Sequence, residues 1–122
     1  RPDLHALVTL HHHPVEMGAR WLDGIGLANA AAFFDRLKAY QSVRGVLWGH
    51  VHQAFDKEIN GLKLMATPST CVQFKAGSDD FGVDPVPPGF RFLELHGDGR
   101  IDSALQRTKH VARGLELSSA GY

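Results

Sequence analysis

The sequence has a single cysteine, no surplus of either charge and no apolar run long enough to span a bilayer, and each shortage excludes a class of protein. Cys71 has no second cysteine to pair with, so no intramolecular disulfide holds the fold. That fits a reducing cytoplasm and argues against secretion. Thirteen Lys and Arg cancel thirteen Asp and Glu, so no global field draws the chain to nucleic acid or to an anionic membrane. Any anionic substrate has to be held locally. The N-terminus, Arg1-Pro2-Asp3, does not open a signal peptide, and no internal repeat or low-complexity tract is present. At 122 residues the chain has room for one domain with a core, at the low end for an enzyme with its own cleft. It starts with Arg rather than Met and enters a strand almost at once, so an upstream portion is expected.

What the sequence does have is histidine, placed at strand ends. Leu4 to Leu10 is a mostly apolar run, of the length of a strand covered on both faces. It stops at His11-His12-His13-Pro14, because proline cannot donate to a ladder. A glycine-containing loop from Val15 to Gly26 follows and carries Trp21, Leu22 and Asp23. From Ala30 to Tyr40, Ala30, Phe33, Phe34, Leu37 and Tyr40 recur at helical spacing. This predicts an amphipathic helix with Asn29 as its N-cap and its aromatic face on a sheet. Val43 to Trp48 is a second buried-strand candidate. Strand, helix, strand argues for a parallel pair, which puts His11 and His50 at one carboxyl edge, where open α/β sheets bind ligands.

Downstream the pattern changes to antiparallel hairpins. Phe55–Ile59 and Leu62–Ala66 flank Asn60-Gly61, a strong hairpin signal. Thr70 to Phe74 reads as extended. Lys75 to Gly89, with Pro85, Pro87 and Pro88, reads as a loop without a regular ladder. Phe90 to Leu95 alternates and leads through His96-Gly97-Asp98-Gly99 into a second hairpin ending near Gln106. Thr108 to Tyr122 has weak periodicity and is expected to be partly disordered or packed on a partner.

Gly49-His50-Val51-His52 is the central feature. In an extended backbone residues i and i+2 share a side, so both imidazoles would aim at one point. Gly49 would let the chain turn sharply and bring its backbone close to whatever is bound. With His11, three imidazoles and no thiolate suit Zn, Mn, Fe or Co. Of His12 and His13, one would contact substrate and the other would simply be exposed. Trp21, on the loop beside the histidine run, is the aromatic residue to test against substrate. The other aromatics read as core. Asp98 reads as a turn residue, His5, His96 and His110 as structural or exposed, and Cys71 as a small buried strand residue.

Leu10-His11-His12-His13-Pro14, the helix, Gly49-His50-Val51-His52 and Ala66 to Lys75 together resemble the C-terminal half of a calcineurin-like metallophosphoesterase. The resemblance is closest to the bacterial class III cyclic-AMP phosphodiesterases and extends over nearly the whole chain. It implies an α/β fold amounting to half of a four-layer αββα sandwich: residues 1–107 are the C-terminal part of one metallophosphoesterase domain and 108–122 form a tail. It also implies two divalent or trivalent transition-metal ions (Fe, Mn, Zn or Co), with His11 and His50 on one and His52 on the other. His12, Trp21 and Gly49 would face the cyclic nucleotide. A metal-activated hydroxide would open 3',5'-cyclic AMP to 5'-AMP in the cytoplasm. The family's Gly-Asn-His motif, which brings the acid histidine, does not occur in these 122 residues, and the Asp-x-His and Gly-Asp that bring the bridging carboxylate are expected upstream, since Asp3-Leu4-His5 and Gly97-Asp98 match them by letter only. The resemblance therefore implies a chain that is inactive alone, and that pairs with the missing N-terminal half or with itself. Two other readings share the residues: a phosphoesterase for other phosphodiesters, and a non-catalytic self-associating module.

Overall fold

The computed structural model describes residues 1, 3–111 and 113–118. Part of the tail expected to be disordered or packed on a partner, residues 112 and 119–122, lies outside the described residues. The central element is a four-stranded sheet ordered β1-β2-β4-β3, built from β1 (Ala6–Leu10), β2 (Val43–Trp48), β3 (Phe55–Ile59) and β4 (Leu62–Ala66). β1 and β2 are parallel, with Leu10 opposite Trp48, as the strand-helix-strand pattern requires. β4 returns beside β2, also parallel, and β3 closes the sheet antiparallel to β4. The hairpin turn is Asn60-Gly61, with φ of 51° and 77°, which both residue types tolerate. β1 is an edge strand, so Ala6 and Thr9 are exposed, and the expectation that it is covered on both faces is not met. The parallel pairing of β2 with β4 had no local signal in the sequence.

One face of the sheet makes the core. Val46 and Trp48 on β2 and Leu64 and Ala66 on β4 are buried together with Ala19, Leu22 and Val51. Two helices lie on the Val15-to-Tyr40 segment: the short α1 (Arg20–Asp23), inside the expected loop, and α2 (Ala30–Lys38). Phe33, Phe34 and Leu37 of α2 pack on the core, as the helical spacing predicts. Two details differ from expectation. Asn29 occupies the N-cap position without a side-chain capping bond, and Tyr40 falls beyond the helix, half exposed, beneath the Arg36 guanidinium at 5.8 Å.

The other face of the sheet meets a long hairpin, β7 (Gly89–Leu95) with β8 (Ile101–Arg107). Gly45 permits the approach: a Cβ there would lie 3.0 Å from both Ile101 Cδ1 and Leu7 Cδ1. Lys63 Nζ donates to the Ile101 carbonyl at 2.5 Å. Arg91, its side chain 3% exposed, points inward, while Phe90 and Phe92 are 43% and 60% exposed. The alternation in this strand is real, but its aromatic side faces away from the sheet, which corrects the reading of these residues as core. Between the hairpins, β5 (Gln73–Phe74), at the end of the stretch read as extended, pairs with β6 (Val83–Asp84), a two-residue strand inside the segment read as irregular. Cys71 is exposed rather than buried in a strand, because the ladder begins two residues later. No helix among the described residues is long and apolar enough to cross a membrane.

Candidate metal centre

Both parallel strands end at the same edge, and the histidines begin there. After Trp48 the chain does not continue as a pleated strand. His50 and His52 both adopt left-handed backbone, at φ 64° and 50°, and Val51 N–H bonds to the Gly49 carbonyl at 2.6 Å across the bend. The sharp turn expected at Gly49 is therefore made by the two histidines, and the extended-strand account of their shared side is corrected. Val51 is fully buried between them and anchors the bend in the core. Left-handed backbone at a non-glycine residue costs about 1–3 kcal/mol, and such strain gathers at functional sites.

This bend brings His50 against the histidine run. Its ring centroid lies 5.0 Å from His11, 4.5 Å from His12 and 5.8 Å from His13, the last with planes 15° apart. His11 and His12 are 5.3 Å apart. His52 takes a different partner: it stacks on Phe74 at 4.0 Å, and its Nδ1 donates to the Val72 carbonyl at 3.0 Å. That bond leaves Nε2 of His52 as the lone-pair nitrogen. His12 makes the same kind of bond, Nδ1 to the Ile25 carbonyl at 3.0 Å. Trp21 of α1 stands edge-on to Phe74 and Phe81 with its indole nitrogen buried, so it joins the aromatic group behind His52. Gly49 is beside His11, whose Nδ1 would be 3.8 Å from an added Cβ.

His13 is not exposed: it is 2% accessible, beneath a loop fitted to it. Leu27 N–H bonds to its carbonyl at 2.9 Å, and a Cβ at Gly26 would sit 2.9 Å from its Nε2. Asp23 turns its oxygens to the N–H groups of Met17 and Gly18, at 2.6 and 3.1 Å.

Burial, and after it the neighbouring imidazoles, push His50 down to about 4. Burial also holds His13 and His52 below the ordinary imidazole range. These rings are neutral at physiological pH and need not lose a proton before a metal binds. Nε2 of His50 is buried without a hydrogen-bond partner among the described residues. An all-imidazole donor set with an orphaned buried nitrogen and carbonyl-oriented rings fits a transition-metal ion.

Another cluster has metal-like spacing: ligand atoms of Glu94, His96 and Asp102 lie within 4.8 Å of one another. It lies at the opposite edge of the sheet, where Gly99 approaches His5 and Arg44. Arg100 already donates to Asp102 and approaches His96 Nδ1 at 3.2 Å, so this is a compensated structural clip. Asp98 accepts from Arg100 N–H at 2.9 Å and is a turn residue, as its sequence context predicts.

The sequence reading missed the backing of His52, which comes from Phe74 and the Val72 carbonyl. Both residues fall in the Ala66-to-Lys75 stretch, but a carbonyl contributes no residue-specific signal.

Known proteins resemble this chain over nearly its whole length. Over 116 residues, 95% of its length, the chain is 49% identical to 3',5'-cyclic adenosine monophosphate phosphodiesterase CpdA of Pseudomonas aeruginosa. The chain matches the C-terminal half of CpdA. The CpdA proteins of Vibrio vulnificus and Escherichia coli are 44% and 42% identical over 121 residues, 99% of the chain. The chain spans about 44% of the length of each of these two curated CpdA relatives. An alignment of 121 out of 122 residues takes in every clustered histidine. No family model matches the chain.

Proposed function

We propose that this chain supplies the histidine half of a dinuclear metal centre in a phosphodiesterase that hydrolyses 3',5'-cyclic AMP to 5'-AMP. The observation that carries the reading is the convergence of imidazoles around the strained His50 turn, at the carboxyl edge of parallel strands. The likeness to the CpdA proteins supports cyclic AMP as the substrate. His11 and His50 would serve one ion and His52, set apart on Phe74, the other. Bound ions of the Fe, Mn, Zn or Co type would neutralise phosphate charge and make water nucleophilic at neutral pH.

This chain's own residues then have distinct tasks. Val72 and Phe74 fix the tautomer and plane of His52. His12, exposed and with Nδ1–H tied to the Ile25 carbonyl, would donate from Nε2 to a phosphate oxygen only as the imidazolium. The backbone at Gly49 and the edge of the Trp21 group border the nucleotide. The leaving-group acid is assigned to no residue of this chain.

Helices on one face of the sheet and the β7–β8 hairpin on the other make three layers of an αββα sandwich. The exposed Phe90 and Phe92 face is where a fourth would rest, and it supports pairing with the remaining part of a CpdA-length protein. The same face also supports the second reading, self-association. The exposed, unpaired Cys71 suits a reducing cytoplasm.

The test is made in the protein that carries this chain. His50→Ala is expected to lower cyclic-AMP turnover by more than about 100-fold, with 5'-AMP as the product of the parent protein. Unchanged turnover would overturn the reading, and faster hydrolysis of other phosphodiesters in a substrate panel would replace cyclic AMP as the substrate.

A further inference from the structure

His13 is buried at 2% accessibility, and neither ring nitrogen makes a well-formed hydrogen bond among the described residues, its nearest backbone polar partner being Leu22. A buried polar ring without well-formed bonds is costly, and an apolar ring of similar size would fill the space more cheaply. Its surroundings suggest why it is there. On one side it lies nearly parallel to His50, planes 15° apart. On the other, its Nε2 is 3.9 Å from Asp23 Oδ1, too long for a hydrogen bond but close enough for a charge to orient it. Asp23 is itself fixed, since its carboxylate takes the N–H groups of Met17 and Gly18 and its own N–H bonds to the Ala19 carbonyl at 2.8 Å. A line of contacts thus runs from the loop, through His13, to the residue at φ 64°. A strained residue keeps its conformation only when its surroundings over-determine it.

We propose that Asp23 is a positioning residue that holds the imidazole of His50 in place through the buried ring of His13. The proposal rests on the reading of His50 as a metal ligand. Asp23 acts on the loop and on His13, and does not itself touch a reacting atom.

The test uses the protein that carries this chain, labelled with 15N-histidine. Ring resonances are recorded without metal, and Mn(II) affinity is measured by electron paramagnetic resonance. Asp23→Ala is expected to shift the His50 ring signals, leave those of His5 and His96 at the far edge unmoved, and weaken Mn(II) binding by about tenfold or more. Asp23→Asn keeps the size and one acceptor oxygen but loses the charge, and is expected to give an intermediate shift. His13→Phe keeps a flat ring against His50 and should perturb it less than His13→Ala. A purely structural loop contact would lower the unfolding midpoint and leave the His50 signals of the folded protein unchanged. That outcome in Asp23→Asn overturns the proposal even if Asp23→Ala fails to fold. Parent protein that binds no Mn(II) contradicts the metal reading, while the ring signals still decide whether Asp23 positions His50.

Discussion

His52 lies face to face with Phe74, ring centroids 4.0 Å apart and planes 11° from parallel, while its Nδ1–H donates to the Val72 carbonyl. Phe74 is 5% exposed and also meets Trp21 and Phe81 edge-on, so it joins one candidate ligand to the packed interior. Phe74→Ala should cost about 3–5 kcal/mol, and Phe74→Leu distinctly less, in urea unfolding. A loss below about 1 kcal/mol for the alanine variant would show that this aromatic group does not hold the site.

Arg91 fastens the β7–β8 hairpin to the sheet. Its guanidinium pairs with both oxygens of Asp56 at 2.8 Å and donates to the Ala66 carbonyl at 2.9 Å. The two partners differ in exposure, 3% for Arg91 against 61% for Asp56, so removing the acid strands a buried cation. Asp56→Ala is expected to cost about 2–4 kcal/mol, above the roughly 0–1 kcal/mol of a surface pair. In an Arg91→Met background the same substitution should cost less than about 1 kcal/mol. Equal costs in both backgrounds, measured as a double-mutant cycle, would refute the coupling.

The depressed histidines give stability an acid dependence whose sign follows from proton counting. His50 titrates at about 4 when folded, against about 6.5 in the unfolded chain. Between these values the unfolded state holds the extra proton, so stability is complete above pH 6.5, falls as pH drops towards 4, and changes no further from this group below that. His13 and His52 are shifted the same way. With solvent screening the His50 contribution is about 1–3 kcal/mol. His50→Asn, which tolerates left-handed backbone, should flatten this slope and leave stability at pH 7 unchanged or up to about 1 kcal/mol higher. A variant as steep as the parent between pH 6.5 and 4.5 would contradict the assignment.

Sequence reading succeeded where residue chemistry and backbone need agree. Asn60-Gly61 announces its turn because both residues accept positive φ, and the Ala30-to-Lys38 helix announces itself by spacing. His11 and His50 met at one edge because parallel topology follows from a strand-helix-strand order. It failed where tertiary contacts decide. Alternation in β7 gives a period but not a direction, and the buried bonds of Arg91 put the arginine inward and Phe92 outward. Histidine is not a turn former, so left-handed backbone at His50 and His52 left no trace in the composition. Cys71 was misplaced because a small apolar residue looks alike before a ladder and within one.

His11, His50 and His52 are the proposed metal ligands, and counting bound ions separates binding from mere proximity. In the protein that carries this chain, purified without chelator and assayed by elemental analysis, two transition-metal ions per molecule are expected. His11→Ala and His52→Ala should each lower the count towards one while the fold, followed by circular dichroism, persists. Two ions retained in both variants, or none in the parent protein after transition-metal loading, would contradict the claim.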